Sequence, residues 1–186
     1  MTALLLVRHG ATSWTAERRL QGRTDIDLTA KGRADAAALR EAVSVWAPSS
    51  VVASPLLRAR STASALSDLE PSIDERWAEA TLGEWEGRVP AEIGPDYAEW
   101  RAGRLVPPGG ESAPALRARI EGAVADAARR PGPVLVVTHG GTIRAVLARY
   151  IGLTADVIEP VAAPSLTAID VQLDGSARLV AFNVAR

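Results

Sequence analysis

The sequence predicts a three-layer α/β sandwich, with helices on both faces of a mostly parallel sheet and an antiparallel hairpin at one edge. Two observations carry this expectation. Short continuous apolar runs, "ALLLV" from Ala3 and "PVLVV" from Pro133, have the pattern of strands buried on both faces, and each leads into a helical periodicity. The C-terminal stretch "LTAIDVQLDGSARLVAFNV" instead alternates around Asp174-Gly175, as a hairpin does. Strands alternating with helices place the helices on the sheet's faces.

The elements follow in order. After the first strand, Thr29 to Trp46 carries Ala36, Leu39, Val43 and Trp46 along one helical stripe. "SVVAS" at residues 50–54 is a weaker strand. It leads into "SPLLRARSTASAL", where Ser54 is expected to cap a helix and Pro55 to occupy its first turn. Ser112 to Arg130 places Leu116, Ile120, Val124 and Ala127 on one face. "GGTIRAVLARYIG" does the same with Ile143, Val146, Leu147, Tyr150 and Ile151, and Gly152 is its natural stop. The segment from Trp77 to Gly110 is different: rich in Gly, Pro and Trp and weakly periodic, it is expected to be an irregular wall or lid over a site. Residues 1–186 are expected to form one domain, without repeats or a low-complexity linker.

Composition excludes several classes. With 47% hydrophobic and 23% charged residues the chain is globular rather than disordered. A net charge of -1 with no basic run leaves no footprint for nucleic acid or a membrane surface. The absence of cysteine removes disulfides and thiolate chemistry. "MTALLLVRHG" lacks the basic start of a secretory leader, and no apolar segment reaches the ~20 residues of a membrane helix. A cytoplasmic protein is therefore expected.

The chain has two histidines, His9 in "LVRHGATSW" and His139 in "VVTHGG". Each follows a valine-containing apolar run and precedes a glycine. Parallel sheets bind ligands beyond the carboxyl ends of their strands, where both histidines are expected. The glycines would let the backbone approach a ligand, and the following helices would aim N–H groups into the same crevice. Arg8 lies beside His9, and Arg58 falls in the first turn after "SVVAS". Two arginines, two histidines and helix N-termini describe a phosphate pocket that requires no metal or other cofactor. No carboxylate stands beside either histidine at metal-ligand spacing. A strand-end histidine is also a common structural residue, and 20 of the 21 basic residues are arginine, so Arg18, Arg19, Arg40, Arg129 and Arg130 are assigned to the solvated surface.

"LLLVRHGATSW", "QGRTDIDLTAKG", "VASPLLRARSTA", "EATLGEWEG", "PPGGES" and "VVTHGGTIRAV", in this order, resemble the histidine phosphatase superfamily, in the branch with cofactor-dependent phosphoglycerate mutases, fructose-2,6-bisphosphatases and α-ribazole phosphatases. The resemblance implies that His9 is the nucleophile, that Arg8, Arg58 and His139 grip the phosphate, and that Glu79, four residues before Gly83, is the proton donor. It further implies that Thr12, Gln21 and Gly22 line the pocket, and that Gly140 and Gly141 form a turn of backbone donors. Thr15 stands where members commonly have Asn, and Ala11 where they often have Glu. Glu84 and Glu86 are rivals to Glu79.

Arg8 and Arg58 would keep the His9 imidazole in its nucleophilic free-base form. Transfer to His9 would spread charge over oxygens held by Arg8, Arg58, a protonated His139 and the Gly141 region. The implied partner is a small phosphate ester. A mutase would return the phosphoryl group to a retained phosphoglycerate, but the stretch from Glu84 to Arg104 has more acids than its three arginines, which favours hydrolysis. The third alternative is a non-catalytic phospholigand-binding protein.

Overall fold

The structure, a computed structural model, describes residues 1–185. Six strands, β1 (Thr2–Arg8), β2 (Ser50–Ala53), β3 (Ser72–Ile73), β4 (Val134–Thr138), β5 (Ser165–Val171) and β6 (Ala177–Val184), form one sheet in the order β3-β2-β4-β1-β5-β6. The β2–β3, β2–β4 and β1–β4 pairs are parallel, and β1–β5 and β5–β6 are antiparallel. The helices are α1 (Ser13–Ala16), α2 (Ala30–Ser44), α3 (Leu57–Leu66), α4 (Pro90–Ile93), α5 (Asp96–Arg101), α6 (Ala113–Ala127) and α7 (Gly140–Tyr150), with short 3₁₀ turns at Glu75–Trp77 and Gly83–Trp85.

The period of two along each strand builds two cores. Leu5, Val7, Val51, Leu135 and Val137 meet Leu39 and Val43 of α2 and Ala59 and Ala63 of α3. Leu4, Leu6, Val52, Val134 and Val136 meet Ile120 and Val124 of α6 and Ile143 and Leu147 of α7 on the other face. Burial on both sides is why β1 and β4 are apolar without interruption. Thr29 caps α2 by accepting the Gly32 amide at 3.0 Å, a contact worth about 1 kcal/mol. Ser112 caps α6 likewise, and Gly152 follows α7 with φ of +77°.

Because α2 leaves β1 toward one face and α7 leaves β4 toward the other, the ends of β1 and β4 flank a crevice. Arg8 is in register with Thr138, so His9 and His139 emerge side by side.

One expectation is corrected and one element is new. Ser54 does not cap α3, which starts at Leu57 without a side-chain cap, because its hydroxyl is turned to His139 instead. Strand β3, two exposed residues long, had no pattern by which to be found. Within residues 77–110, Ala80, Leu82 and Trp85 form a small core with Leu20, Ile93, Trp100 and Leu105. Trp77 is fully buried in the main core.

Candidate active site

His9 extends β1 by one residue, its amide donating to the Thr138 carbonyl at 3.0 Å. Its ring is oriented from both ends. Nδ1 lies 2.7 Å from the Gly10 carbonyl, which can only accept, so Nδ1 carries the proton. At the other end Arg58 Nε donates to Nε2 at 3.3 Å. Nε2 is thus the bare nitrogen, and burial, followed by the charges of Arg58 and Arg8, holds the imidazole pKa well below its ordinary value. The Gly10 amide is fixed in turn by the Thr62 hydroxyl at 3.0 Å, which donates to the Arg58 carbonyl.

The glycine after His9 also meets a packing need. A Cβ on Gly10 would stand 2.5 Å from the Gly32 carbonyl, so this glycine admits the backbone of α2.

Arg58 is fully buried in the first turn of α3 and is held by the loop after α1: its Nη1 and Nη2 donate to the carbonyls of Thr24 and Gly22 at 2.8 and 2.7 Å. That loop is shaped by Glu86. One carboxylate oxygen accepts the amides of Arg23 and Leu82 at 3.0 and 3.1 Å, and the other accepts the Thr24 amide at 2.9 Å and the Thr24 hydroxyl. Burial raises the Glu86 pKa, but the hydrogen bonds from Thr24, Arg23 and Leu82 prevail and bring it below the ordinary carboxylate value. Gly22 has φ of +49°, and a Cβ there would meet Glu86 Oε1 at 2.2 Å. Glu84 is exposed.

Thr12 and Gln21 belong to the same loop. Thr12 is fully buried and caps α1: its hydroxyl accepts the Thr15 amide at 3.2 Å, while Thr15 Oγ1 accepts the Thr12 amide at 3.1 Å. Gln21 Nε2 also donates to Thr15 Oγ1, at 3.0 Å, and Gln21 Oε1 is buried without a partner. Thr15 therefore braces Thr12 and Gln21.

His139 precedes α7, fully buried, with its ring centroid 5.2 Å from that of His9. Its Nε2 lies 2.7 Å from Ser54 Oγ, and its Nδ1 is buried without a partner among the described residues. Burial, then Arg58, His9, Arg8 and Arg119, pushes its pKa well down. In the free site burial, and then three arginines and a second imidazole, favour the neutral ring, whereas the protonated His139 expected during transfer belongs to the phosphate-bound state.

Glu79 reaches the N-terminus of α7, where the Gly141 amide donates to Oε2 at 2.9 Å and the Ala80 amide to Oε1 at 3.0 Å. A Cβ on Gly141 would stand 2.4 Å from Oε1, so here glycine does permit a close approach. The chain before Glu79 is pinned by Thr138 Oγ1 on the Trp77 carbonyl at 2.6 Å, Thr142 Oγ1 on the Ala78 carbonyl at 3.0 Å, and Arg119 on the carbonyls of Arg76 and Ala78 at 2.6 and 2.8 Å. Glu111 of "PPGGES" grips Arg119 through both oxygens, at 2.7 and 2.8 Å.

Arg8 donates from Nη1 to the Val161 carbonyl, and its buried Nε has no partner. A Cβ on Gly140 would stand 3.3 Å from that Nε. Burial, with Arg144 and Arg58 nearby, brings the Arg8 pKa down to about 10 against the opposing pull of Glu79. Arg144, one turn into α7, is also depressed, by burial first.

The structure thus brings Arg8, His9, Arg58, Glu79, His139, Gly140 and Gly141 together, attaches Gly22 through Arg58, and leaves the hydrogen bonds of Thr12 and Gln21 within their loop. Ser54, Thr62, Arg119 and Arg144 were not anticipated as site residues, and Glu86, weighed only as a rival acid, instead holds the loop at residues 23–24. Ser54 and Thr62 lie in "VASPLLRARSTA", but nothing in spacing alone distinguishes them from ordinary helix-start residues.

A family profile described as the histidine phosphatase superfamily (branch 1) matches residues 4–184. The chain belongs to this superfamily. A glucosyl-3-phosphoglycerate phosphatase from Mycolicibacterium vanbaalenii is 38% identical over 82% of this chain and 76% of that relative. A probable phosphoglycerate mutase GpmB from an Enterobacter species is 33% identical over 83% of this chain and 77% of its own. The solved mycobacterial glucosyl-3-phosphoglycerate phosphatase in complex with VO3 superposes with a TM-score of 0.89 at 30% identity, covering 100% of both chains. Superfamily membership with phosphatase-named relatives makes this histidine phosphatase a hydrolase of phosphate monoesters, with the mutase-like names as the alternative.

Proposed function

We propose that this histidine phosphatase hydrolyses a small phosphorylated metabolite through a phosphohistidine on His9. The observation that carries the proposal is the His9 ring, tied through Nδ1–H to a carbonyl and keeping a lone pair on Nε2 beside an arginine. The Nε2 lone pair attacks phosphorus, the ester P–O bond breaks, and Glu79 gives a proton to the departing oxygen. Water then attacks the phosphorus, Glu79 takes its proton, the P–N bond breaks, and phosphate leaves with the imidazole restored. Arg8 Nε and His139 Nδ1, both buried without protein partners, are suited to hold the phosphoryl oxygens as charge develops on them.

Hydrolysis is favoured over a mutase reaction by the state of the wall. Its three arginines are already engaged on protein oxygens: Arg88 on the Glu92 carbonyl, Arg101 on the Ala155 carbonyl and Arg104 on the Glu99 carboxylate. They are poorly placed to retain a second anion between half-reactions. The relatives' names make a phosphoglycerate-containing ester the first substrate class to try. Phosphate release from a panel including glucosyl-3-phosphoglycerate, 3-phosphoglycerate and simple sugar phosphates tests this. Release from at least one ester is expected. Interconversion of phosphoglycerates in the presence of the bisphosphate, without net release, would replace the hydrolase by the mutase.

A further inference from the structure

We propose that Ser54 is a positioning residue for phosphoryl transfer: its hydroxyl fixes His139 in the tautomer whose proton is on Nδ1, so that this buried N–H becomes a donor to the transferring phosphoryl group. The inference deepens the proposed function and rests on it for the identity of the bound group.

Ser54 follows β2 directly, next to β4 in the sheet, and its amide donates to the Val137 carbonyl at 2.9 Å. This places the side chain against the end of β4, where His139 begins. Ser54 is fully buried, so its hydroxyl must be satisfied within the protein. It has two neighbours. The Leu56 amide, a donor only, points at Oγ from 3.3 Å, and His139 Nε2 lies 2.7 Å away. With Leu56 donating into one lone pair, the hydroxyl proton has His139 Nε2 as its acceptor. The reverse assignment, with Nε2–H donating to Oγ, would leave that proton buried without a partner, at a desolvation cost of about 1–3 kcal/mol.

A neutral imidazole that accepts at Nε2 carries its proton at Nδ1. The ring is neutral in the free site because it is buried against Arg58 from α3, His9 and Arg8 from β1 and its end, and Arg119 from α6. Nδ1 is itself buried and unpartnered, and the ring lies 5.2 Å from His9, centroid to centroid. A phosphoryl oxygen held beside His9 supplies the acceptor this proton lacks. The two histidines therefore share a tautomer and present opposite faces: His9 offers the lone pair of Nε2, and His139 offers the proton of Nδ1.

The test is nitrogen NMR on protein labelled at histidine, wild type and Ser54→Ala, with and without inorganic phosphate, together with steady-state kinetics on a phosphate ester. In the wild type His139 should have an unprotonated Nε2 and a protonated Nδ1 whose resonance moves when phosphate binds. Ser54→Ala should mix the tautomers and lower kcat roughly 10- to 100-fold, the loss of a well-placed donor being worth up to ~10³-fold. The KM should change much less. Ser54→Thr, which keeps the hydroxyl, should restore both tautomer and rate. A wild-type His139 protonated at Nε2 would overturn the proposal, as would Ser54→Ala with unaltered tautomer and kcat. If Ser54→Ala does not fold, the wild-type spectrum alone decides. Because the tautomer is read without turnover, a wild type that hydrolyses no ester would defeat the proposed function and still leave the Ser54 assignment measurable.

Discussion

The ends of β1 and β4 carry the same dipeptide, histidine then glycine, and use it differently. At β1 the glycine makes room for the backbone of α2, its amide is held by Thr62, and its carbonyl fixes the His9 ring so that a bare nitrogen faces Arg58. At β4 the helix begins at once, Gly141 lets Glu79 close on the helix N-terminus, and Ser54 turns the His139 ring so that an N–H is left over. In the proposed mechanism one strand end supplies the nucleophile and the other a grip with an acid beside it. The difference arises from neighbours supplied by β2, α3 and the wall, since the local sequence is nearly the same.

That division can be broken first at β1. His9→Ala should reduce turnover to background while the fold persists, because the ring makes only two hydrogen bonds and its proposed role is covalent. Circular dichroism and phosphate release measured together check this, and residual turnover above the uncatalysed rate would reassign the nucleophile. The next largest effect belongs to Glu79. Glu79→Gln should slow phosphorylation by alkyl phosphates roughly 10²- to 10⁴-fold, and far less by nitrophenyl phosphate, whose leaving group needs no proton. Equal slowing for both would remove Glu79 from the acid's role and return attention to Glu84, since Glu86 is committed to the loop at residues 22–24. A smaller loss is expected from His139→Ala, roughly 10²- to 10³-fold in kcat with activity still measurable, as for removal of one donor to a developing oxyanion.

The smallest effect is on stability. Both imidazoles titrate well below their ordinary value of 6.5 in the folded chain, so below that pH the unfolded chain holds protons that the folded chain refuses. Their contribution is therefore complete above about pH 6.5 and falls as the pH drops, by up to about 1.4 kcal/mol per unit for each histidine. Urea midpoints at pH 7.5, 6.5 and 5.5 should decline in the wild type and less steeply in His139→Ala. Equal slopes would mean that His139 is not held neutral.

Most of the fold was legible because burial on both faces of β1 and β4 leaves an unbroken apolar run, and because Thr29 and Ser112 mark true helix starts. That Arg8, His9, Arg58 and His139 lie together follows from strand ends placed side by side. What escaped was pairing across elements. Ser54 has the sequence context of a cap and becomes a partner of His139 only because β2 lies beside β4. Arg119 is one arginine among many until the fold lays it under the carbonyls before Glu79. Thr15 departs from the family's usual Asn, and its work inside the loop depends on contacts with Thr12 and Gln21 that no spacing encodes.

In the proposed mechanism His9 Nε2 is the atom that takes the phosphoryl group. Glu79→Gln enzyme mixed with nitrophenyl phosphate and quenched in alkali before the covalent adduct decays should trap that adduct, since the second step lacks its base. Phosphorus NMR and peptide mapping should then find one acid-labile phosphohistidine, on His9, bonded through Nε2. Phosphate on His139, attachment through Nδ1 of His9, or nitrophenol release with no phosphoenzyme at any time would contradict the account.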